Sequence, residues 1–165
     1  MAAIEPESTT VIIGRMLSPA FMVNAAALLL LSLHNKFSAL SARIRALNAE
    51  RRNLDAAEEA FRAGHDPAKA ERTKNLSEQI GRLVIRLKYV RRAILFHYTG
   101  IALFLLTSFL IALNTLFGDR TLAGLDVAVF SLGMLSVFLG TISHLRDVRA
   151  GFNAIRLEAP DAFEK

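Results

Sequence analysis

Three stretches of the chain are apolar enough to be membrane-spanning helices. Residues 17–33 carry no charge, residues 93–117 carry none apart from His97, and residues 122–143 are apolar apart from Asp126. A helix needs about 20 apolar residues to cross a hydrocarbon core of roughly 30 Å. At about 1.5 Å per residue the first stretch is slightly short. The pattern predicts an all-α protein with three transmembrane helices.

The first span is expected to begin at Ser18 and Pro19. Serine is a good N-cap, and proline is tolerated at the first helical position, so we predict a transmembrane helix over residues 18–33. Residues 1–17 are predicted to form an extracytoplasmic tail and an interfacial segment. Glu5 and Glu7 stand where a secretory signal would carry basic residues, which favours a retained helix.

Residues 34–92, between the first two spans, show the spacing of a coiled coil. Apolar residues recur every three or four positions in two runs, as in a heptad seam. Gly64, Asp66 and Pro67 suit a helix end, an N-cap and a helix start, so a turn is expected at 63–67. The predicted seam comprises Leu40, Ile44, Leu47 and Leu54 in the first run, and Leu76, Ile80, Leu83, Leu87 and Val90 in the second.

The two runs also match each other when the chain is folded about this turn. Facing positions of an antiparallel hairpin have a nearly constant sum of residue numbers. Leu40 with Val90 and Leu47 with Leu83 both sum to 130. The sequence therefore predicts a long antiparallel hairpin in register, with each of its helices continuous with a membrane helix.

A second stripe, of alanines, follows the first run at a displacement of two residues. Two residues correspond to about 200° on a helix, which is nearly the opposite face. The stripe is either a solvated surface rich in a good helix former or a seam that packs against another subunit. Its members are Ala39, Ala42, Ala46, Ala49, Ala56 and Ala60.

Charge decides the expected orientation. Of the 20 Lys and Arg residues, 14 lie in residues 34–92, where there are only 7 acidic residues. By the positive-inside tendency this segment is cytoplasmic, the N-terminus is outside, and residues 144–165 form a cytoplasmic tail. The basic surface suits anionic lipid headgroups, and nucleic acid is the weaker interpretation beside such apolar segments.

Nothing in the spacing of reactive residues predicts an enzyme. The chain has no cysteine, its four histidines are scattered, and it lacks a glycine-rich phosphate loop or a nucleophile elbow. His34 and His144 are expected to be boundary residues rather than metal ligands, and His65 belongs to the turn. We predict no catalytic residue, no metal and no cofactor.

Polar residues within the apolar stretches are the candidate functional positions, because a polar group in lipid usually faces protein or water. We favour hydrogen bonding between helices over the lining of a conduit. For Asp126 we favour an interfacial position or a salt bridge with Arg15 or Arg120 over an ion site. The candidates are Asn24, Ser32, Asn35, His97, Thr107, Asn114 and Asp126.

Two predicted faces accompany these candidates. Asp126, Phe130, Gly133, Val137, Gly140 and His144 share one face of the third span. The second span has a comparable face, comprising His97, Gly100, Phe104, Thr107, Ile111 and Asn114.

The layout resembles a family of small bacterial membrane proteins that is grouped as a domain of unknown function. The resemblance lies in Leu17-Ser18-Pro19-Ala20, in Arg43-Ile44-Arg45-Ala46-Leu47-Asn48, and in Arg91-Arg92-Ala93-Ile94, and it covers roughly residues 10–150. It implies a bacterial cytoplasmic membrane and no catalytic residues.

Two functions are compatible with these patterns. The first is a homo-oligomeric ion channel with a cytoplasmic coiled-coil vestibule, since three helices enclose little space and a pore would need several copies around an axis. The second is a scaffold or accessory subunit that binds a protein partner or anionic lipid through its basic hairpin.

Overall fold

Three long α-helices make up the whole of the chain that the structure describes. The computed structural model describes residues 6–61, 67–117 and 121–158. The helices are α1 (Pro6–Phe61), α2 (Pro67–Phe117) and α3 (Thr121–Glu158). The predicted all-α class is confirmed.

Each helix contains a stretch that is long and apolar enough to cross a membrane. The candidate spans are Leu17–Ala56, Ala68–Thr115 and Gly124–Phe152. The prediction of three candidate transmembrane helices is confirmed, and the chain is a membrane protein by the length and composition of its helices.

The first helix does not begin where the sequence predicts. Pro19 lies inside α1 and is buried. A proline inside a helix removes one backbone donor, so the carbonyl of residue 15 has no N–H four residues later to accept from. Helix α1 continues past its apolar stretch to Phe61, and α2 begins at Pro67, well before its own apolar stretch. The expected continuity of the two helices beyond their apolar stretches is therefore observed.

The chain divides into two compact units. The first unit consists of Met1–Leu33 and Arg92–Ser143, and the second of His34–Arg91 and His144–Lys165. The first unit buries Ala26, Leu30 and Leu33 of α1, Ala93, Ile94 and Phe104 of α2, and Val129 of α3. Large apolar side chains, among them Phe21, Phe109 and Phe138, remain exposed on it, as expected of a surface in contact with lipid.

Glycines bring α2 and α3 close together in the first unit. A Cβ atom on Gly140 would lie 2.5 Å from His97 Nδ1, and one on Gly133 would lie 2.8 Å from Phe104 Cε1. A Cβ atom on Gly100 of α2 would lie 2.6 Å from a methyl carbon of α3. Since the paired positions ascend along α2 as they descend along α3, the two helices are antiparallel.

Helices α1 and α2 contribute the predicted seam to the second unit. Leu40, Leu76 and Val90 are buried. The half-buried members are Ile44, Leu47, Leu54, Ile80, Leu83 and Leu87.

One ion pair joins the two helices of that seam, Arg72 Nη2 to Glu50 Oε1 at 2.7 Å. The predicted register places Glu50 opposite Ile80, about two helical turns from Arg72. The register, and the coiled coil that it would define, therefore stay predictions.

Helix α3 extends further than the sequence indicates. Residues 144–158 belong to α3 and to the second unit, whereas the sequence predicts only a tail there. Two expectations lie outside the described residues: the turn except Pro67, and the ends of the chain.

Candidate functional site

The first unit contains a cavity of about 490 Å³ to which all three helices contribute. Its walls are mostly apolar. Among the described lining residues, Ser18 and the buried Thr107 carry a hydroxyl, Asn114 an amide and Asp126 a carboxylate. The cavity is lined by Ser18, Pro19, Thr107, Ile111, Asn114, Asp126, Val127 and Phe130. Its size falls within the range of small-molecule sites in proteins, and a few polar groups on an apolar wall are typical of such sites.

Among the residues that the structure describes, Asp126 is the one charged group that lines this cavity. Its Oδ2 lies 3.5 Å from the Asn114 Nδ2 amide, which donates a long and weak hydrogen bond. Its Oδ1 is buried and has no hydrogen-bond partner among the described residues. The predicted pairing with Arg15 or Arg120 involves side chains outside those that the structure describes. A carboxylate oxygen in this environment calls for a positive partner.

Thr107 is buried beside the cavity, and its hydroxyl donates to the Leu103 carbonyl at 2.9 Å. Such a bond to the preceding turn is usual for threonine in a membrane helix. The hydroxyl oxygen keeps lone pairs that can accept a proton or contact a cation. Phe104 and Phe130 pack at 5.5 Å between ring centroids and support one side of the site.

His97 is fully buried at a separate position in the same unit, with 1% of its surface exposed. Its Nδ1 lies 2.8 Å from the Ala93 carbonyl, which makes Nδ1 the donor, and Nε2 is buried without a hydrogen-bond partner. Nearby, Ser136 of α3 donates to the Phe96 carbonyl of α2 at 2.8 Å. The Ser136 bond joins α2 and α3, whereas His97 and Thr107 bond within their own helix. Hydrogen bonding between helices therefore stays a prediction for these two candidates.

The polar candidates of α1 do not join the cavity. Asn24 and Ser32 are exposed in the first unit, and Asn35 is exposed in the second. None of the three makes a side-chain hydrogen bond within the described chain. The structure therefore brings Thr107, Asn114 and Asp126 together, and leaves the candidates of α1 on the surface.

Two lining residues, Ser18 and Pro19, were not among the predicted site residues. The sequence predicted them as a helix start because that is where serine and proline together usually occur. Their participation follows from Pro19 lying within α1, facing α2 and α3. The apolar run on both sides of Pro19 is the sequence signal for a helix that continues through this proline.

The second unit contains a buried carboxylate that is not among the predicted site residues. Asp147 is fully buried, forms an ion pair with Lys36, and accepts from Arg86 Nε at 3.2 Å. It thus joins all three helices. Gly151 leaves room for the guanidinium, since a Cβ atom there would lie 2.8 Å from Arg86 Nη2. Asp147 and Gly151 continue the three- and four-residue spacing of the predicted face of α3 that contains Gly140 and His144. This spacing is the sequence signal from which their inward position could be predicted.

The alanine stripe is largely on the surface of the second unit. Ala39, Ala42, Ala46 and Ala56 are exposed, Ala49 is half-buried, and the Ala60 side chain lies outside those described. A separate surface depression of that unit is lined by Arg45, Asn48, Arg51, Arg52 and Asp55. Within the described part of the chain there is no cluster of three or more His, Cys, Asp or Glu residues suited to a metal ion.

The comparisons with known proteins place the chain in a family. The family model described as "Protein of unknown function (DUF2721)" matches residues 16–157. The chain belongs to this family, which confirms the resemblance. No curated protein and no solved structure matches it.

Proposed function

We propose that this protein forms a homo-oligomer in the bacterial inner membrane and conducts ions through a path lined by α1. The observation that carries the proposal is the exposure of Asn24 near the middle of the first apolar stretch. Its carboxamide has no hydrogen-bond partner within the described chain. In this proposal the N-terminus is outside and the C-terminus is cytoplasmic.

The energetic argument starts from the cost of an amide in lipid. Water is absent from the hydrocarbon core, so an unpaired amide there costs several kcal/mol. Association of α1 with α1 of another copy, or contact with water in a path between copies, would remove this cost. Both require further copies around an axis, because a three-helix unit encloses little space by itself.

The packing of α2 and α3 supports the assignment of this role to α1. Their polar faces meet each other through Gly100, Gly133 and Gly140 and through the Ser136 hydrogen bond. His97 and Thr107 are buried in that packing, so they are not proposed to line the path. Asn24 and Ser32 are the exposed polar candidates of the first unit.

The second unit completes the proposal as a coiled-coil vestibule on the cytoplasmic side. Its buried apolar seam favours an antiparallel hairpin, and its exposed alanines offer a smooth face for another subunit. The excess of Lys and Arg in residues 34–92 would concentrate anions near the entrance.

The first test is the mass of the full-length protein in mild detergent, measured by native mass spectrometry. A closed homo-oligomer of four or more copies is expected, and a monomer would overturn the proposal. Asn24→Leu removes the amide while keeping the number and branching of the side-chain heavy atoms, and it should lower the copy number or the conductance of the reconstituted protein. The matched control is Thr99→Val, because the exposed Thr99 hydroxyl already bonds its own helix at Leu95.

A second candidate function is an accessory subunit that binds an acidic partner. It is favoured by the depression that Arg45, Arg51 and Arg52 line. Among the described ion pairs, only Arg51 of these three has an acidic partner, Asp55 at 3.8 Å. A single protein that co-purifies in stoichiometric amount and is lost in Arg45→Gln/Arg52→Gln would favour this function over conduction. Lys69→Gln is the control, since Lys69 is also exposed but lies outside the depression.

A further inference from the structure

We propose that the cavity at Asp126 binds a monovalent metal cation, of which sodium is the representative. The cation would be held by the Asp126 carboxylate together with neutral oxygens of Asn114, Thr107 and Ser18. This goes beyond the proposed conduction path along α1, because the cavity lies within the first unit of a single copy.

The first argument is the unbalanced charge of Asp126. Within the part of the chain that the structure describes, Oδ1 is buried without a hydrogen-bond partner, and Oδ2 has only the 3.5 Å contact with Asn114. No ion pair of Asp126 is found within the described chain. An ionised carboxyl group in a membrane helix is strongly disfavoured without a positive partner, and none of the side chains that the structure describes supplies that positive charge at the site.

A bound proton would supply the charge but would engage only one of the neutral oxygens that line the cavity. A protonated carboxyl oxygen becomes a donor and needs an acceptor. The group that faces Oδ2 is the Asn114 Nδ2 amide, itself a donor, so a proton on Oδ2 would not be accepted there. A proton on Oδ1 could be accepted by only one of the neutral oxygens that line the cavity, whereas a cation can contact several of them. A metal cation interacts favourably with both carboxylate oxygens and requires no acceptor.

The neutral groups of the cavity are oxygen donors of the kind that hard cations prefer. The Thr107 hydroxyl uses its hydrogen for the Leu103 carbonyl, so its lone pairs are available. Ser18 contributes a further hydroxyl, and Asn114 an amide oxygen.

The charge of the cation follows from the single carboxylate. Divalent calcium and magnesium sites usually carry more than one acidic ligand, and a single negative charge is balanced by one monovalent ion. The described residues hold no cluster of three or more acidic or His ligands at this position or elsewhere. The volume of about 490 Å³ exceeds that of a bare ion and leaves room for several of its water molecules.

The test uses the full-length protein in mild detergent. Thermal unfolding is followed in sodium chloride and in choline chloride at equal ionic strength, and binding of radioactive sodium is measured by scintillation proximity. A ligand that binds only the folded state raises Tm with concentration. We expect sodium, and not choline, to raise Tm, and we expect saturable binding of sodium.

The decisive variant is Asp126→Asn, which should abolish both effects. Glu71→Gln is the matched control, because it removes one exposed carboxylate of the second unit and should leave both effects unchanged. Equal behaviour of wild type in sodium and choline would overturn the inference. Retention of sodium binding by Asp126→Asn would overturn it as well.

A further variant protects the test against failure of Asp126→Asn to fold. Asn114→Leu keeps the carboxylate and removes a neutral oxygen, so half-maximal binding should require at least several-fold more sodium. An unchanged concentration dependence would count against Asn114 as a ligand. A monomer that binds sodium would overturn the proposed oligomer but not this site, and an oligomer without a sodium effect would do the reverse.

Discussion

The imidazole of His97 on α2 lies directly over Gly140 on α3. A Cβ atom at residue 140 would be 2.5 Å from His97 Nδ1 and 3.2 Å from Phe96 Cβ. The ring cannot move away at low cost, because it is buried and Nδ1 donates to the Ala93 carbonyl at 2.8 Å. The absence of a side chain at Gly140 is therefore a condition for the close approach of the two helices.

Gly140→Ala should destabilise the first unit. The added methyl must displace the His97 ring or separate the helices, and overpacking of this kind typically costs about 1–3 kcal/mol. The free energy of unfolding in mixed detergent micelles, with the protein otherwise unchanged, measures the effect. The matched control is Gly81→Ala, because a Cβ atom on Gly81 of α2 would have nothing within 4 Å and the variant should gain up to about 1 kcal/mol of helix propensity. Equal effects at the two glycines would contradict the packing.

The contact between His97 and Gly140 also shows which part of the structure can be predicted from the sequence. Periodicity alone predicted that His97, Gly100 and Phe104 share a face of α2 and that Gly133 and Gly140 share a face of α3. It did not predict that these faces pack against each other, because the period of a helix gives the position of a residue around its axis and not the identity of the neighbouring helix. The spans themselves were predictable since apolar length is a local property.

Asp147 shows why part of the structure escaped prediction. In the sequence it stands between Arg146 and Arg149, in a run of charged residues that is typical of a solvated tail. Its burial depends on Lys36 and Arg86, which are far away in the chain. Ser18 and Pro19 are a similar case, since their local signal for a helix start was overridden by the continuous α1.

Ser136→Ala should weaken the contact between α2 and α3. The Ser136 hydroxyl donates across the interface to the Phe96 carbonyl at 2.8 Å, and such bonds in membrane proteins contribute about 0.6 kcal/mol on average and up to about 1.7. Ser131→Ala is the control, because the exposed Ser131 hydroxyl bonds its own helix at Val127. Unfolding free energies of the two variants should differ by this amount. A larger loss of unfolding free energy for Ser131→Ala than for Ser136→Ala would be inconsistent with a stabilising hydrogen bond between α2 and α3 at Ser136.

Glu50→Gln should have little effect on stability. Arg72 and Glu50 are at 2.7 Å, but their side chains are 55% and 42% exposed. Exposed ion pairs are screened by water and contribute about 0–1 kcal/mol. The expected result is a change of Tm within experimental scatter at physiological salt. A loss comparable to that of a buried charge would mean that this pair is covered in the assembled protein.

Gly151→Ala should be milder than Gly140→Ala although both glycines face a side chain of α2. The methyl at residue 151 would meet the Arg86 guanidinium at 2.8 Å, which is the far end of a flexible side chain. Arg86 can rotate away, at the cost of its 3.2 Å hydrogen bond to Asp147, and Lys36 would remain on the carboxylate. We expect a loss near 1 kcal/mol, about the value of one hydrogen bond, in the unfolding free energy.

Asp147→Asn should be the most destabilising of these changes. Removing one member of a buried ion pair typically costs about 3–5 kcal/mol, and here two cations lose their partner. Lys36 and Arg86 keep 30% and 24% exposure of their side chains, so solvent offsets part of the cost and we expect about 3 kcal/mol.

A double-mutant cycle with Lys36→Met and Asp147→Asn separates the ion pair from the burial of the carboxylate. Lys36→Met alone leaves Arg86 as a partner of Asp147, so its cost should be smaller than that of Asp147→Asn. In the double variant one unpaired cation has been removed, and the loss should fall below the sum of the two single losses. Strictly additive losses, or an Asp147→Asn variant as stable as wild type, would show that the three charges do not act together in the folded protein.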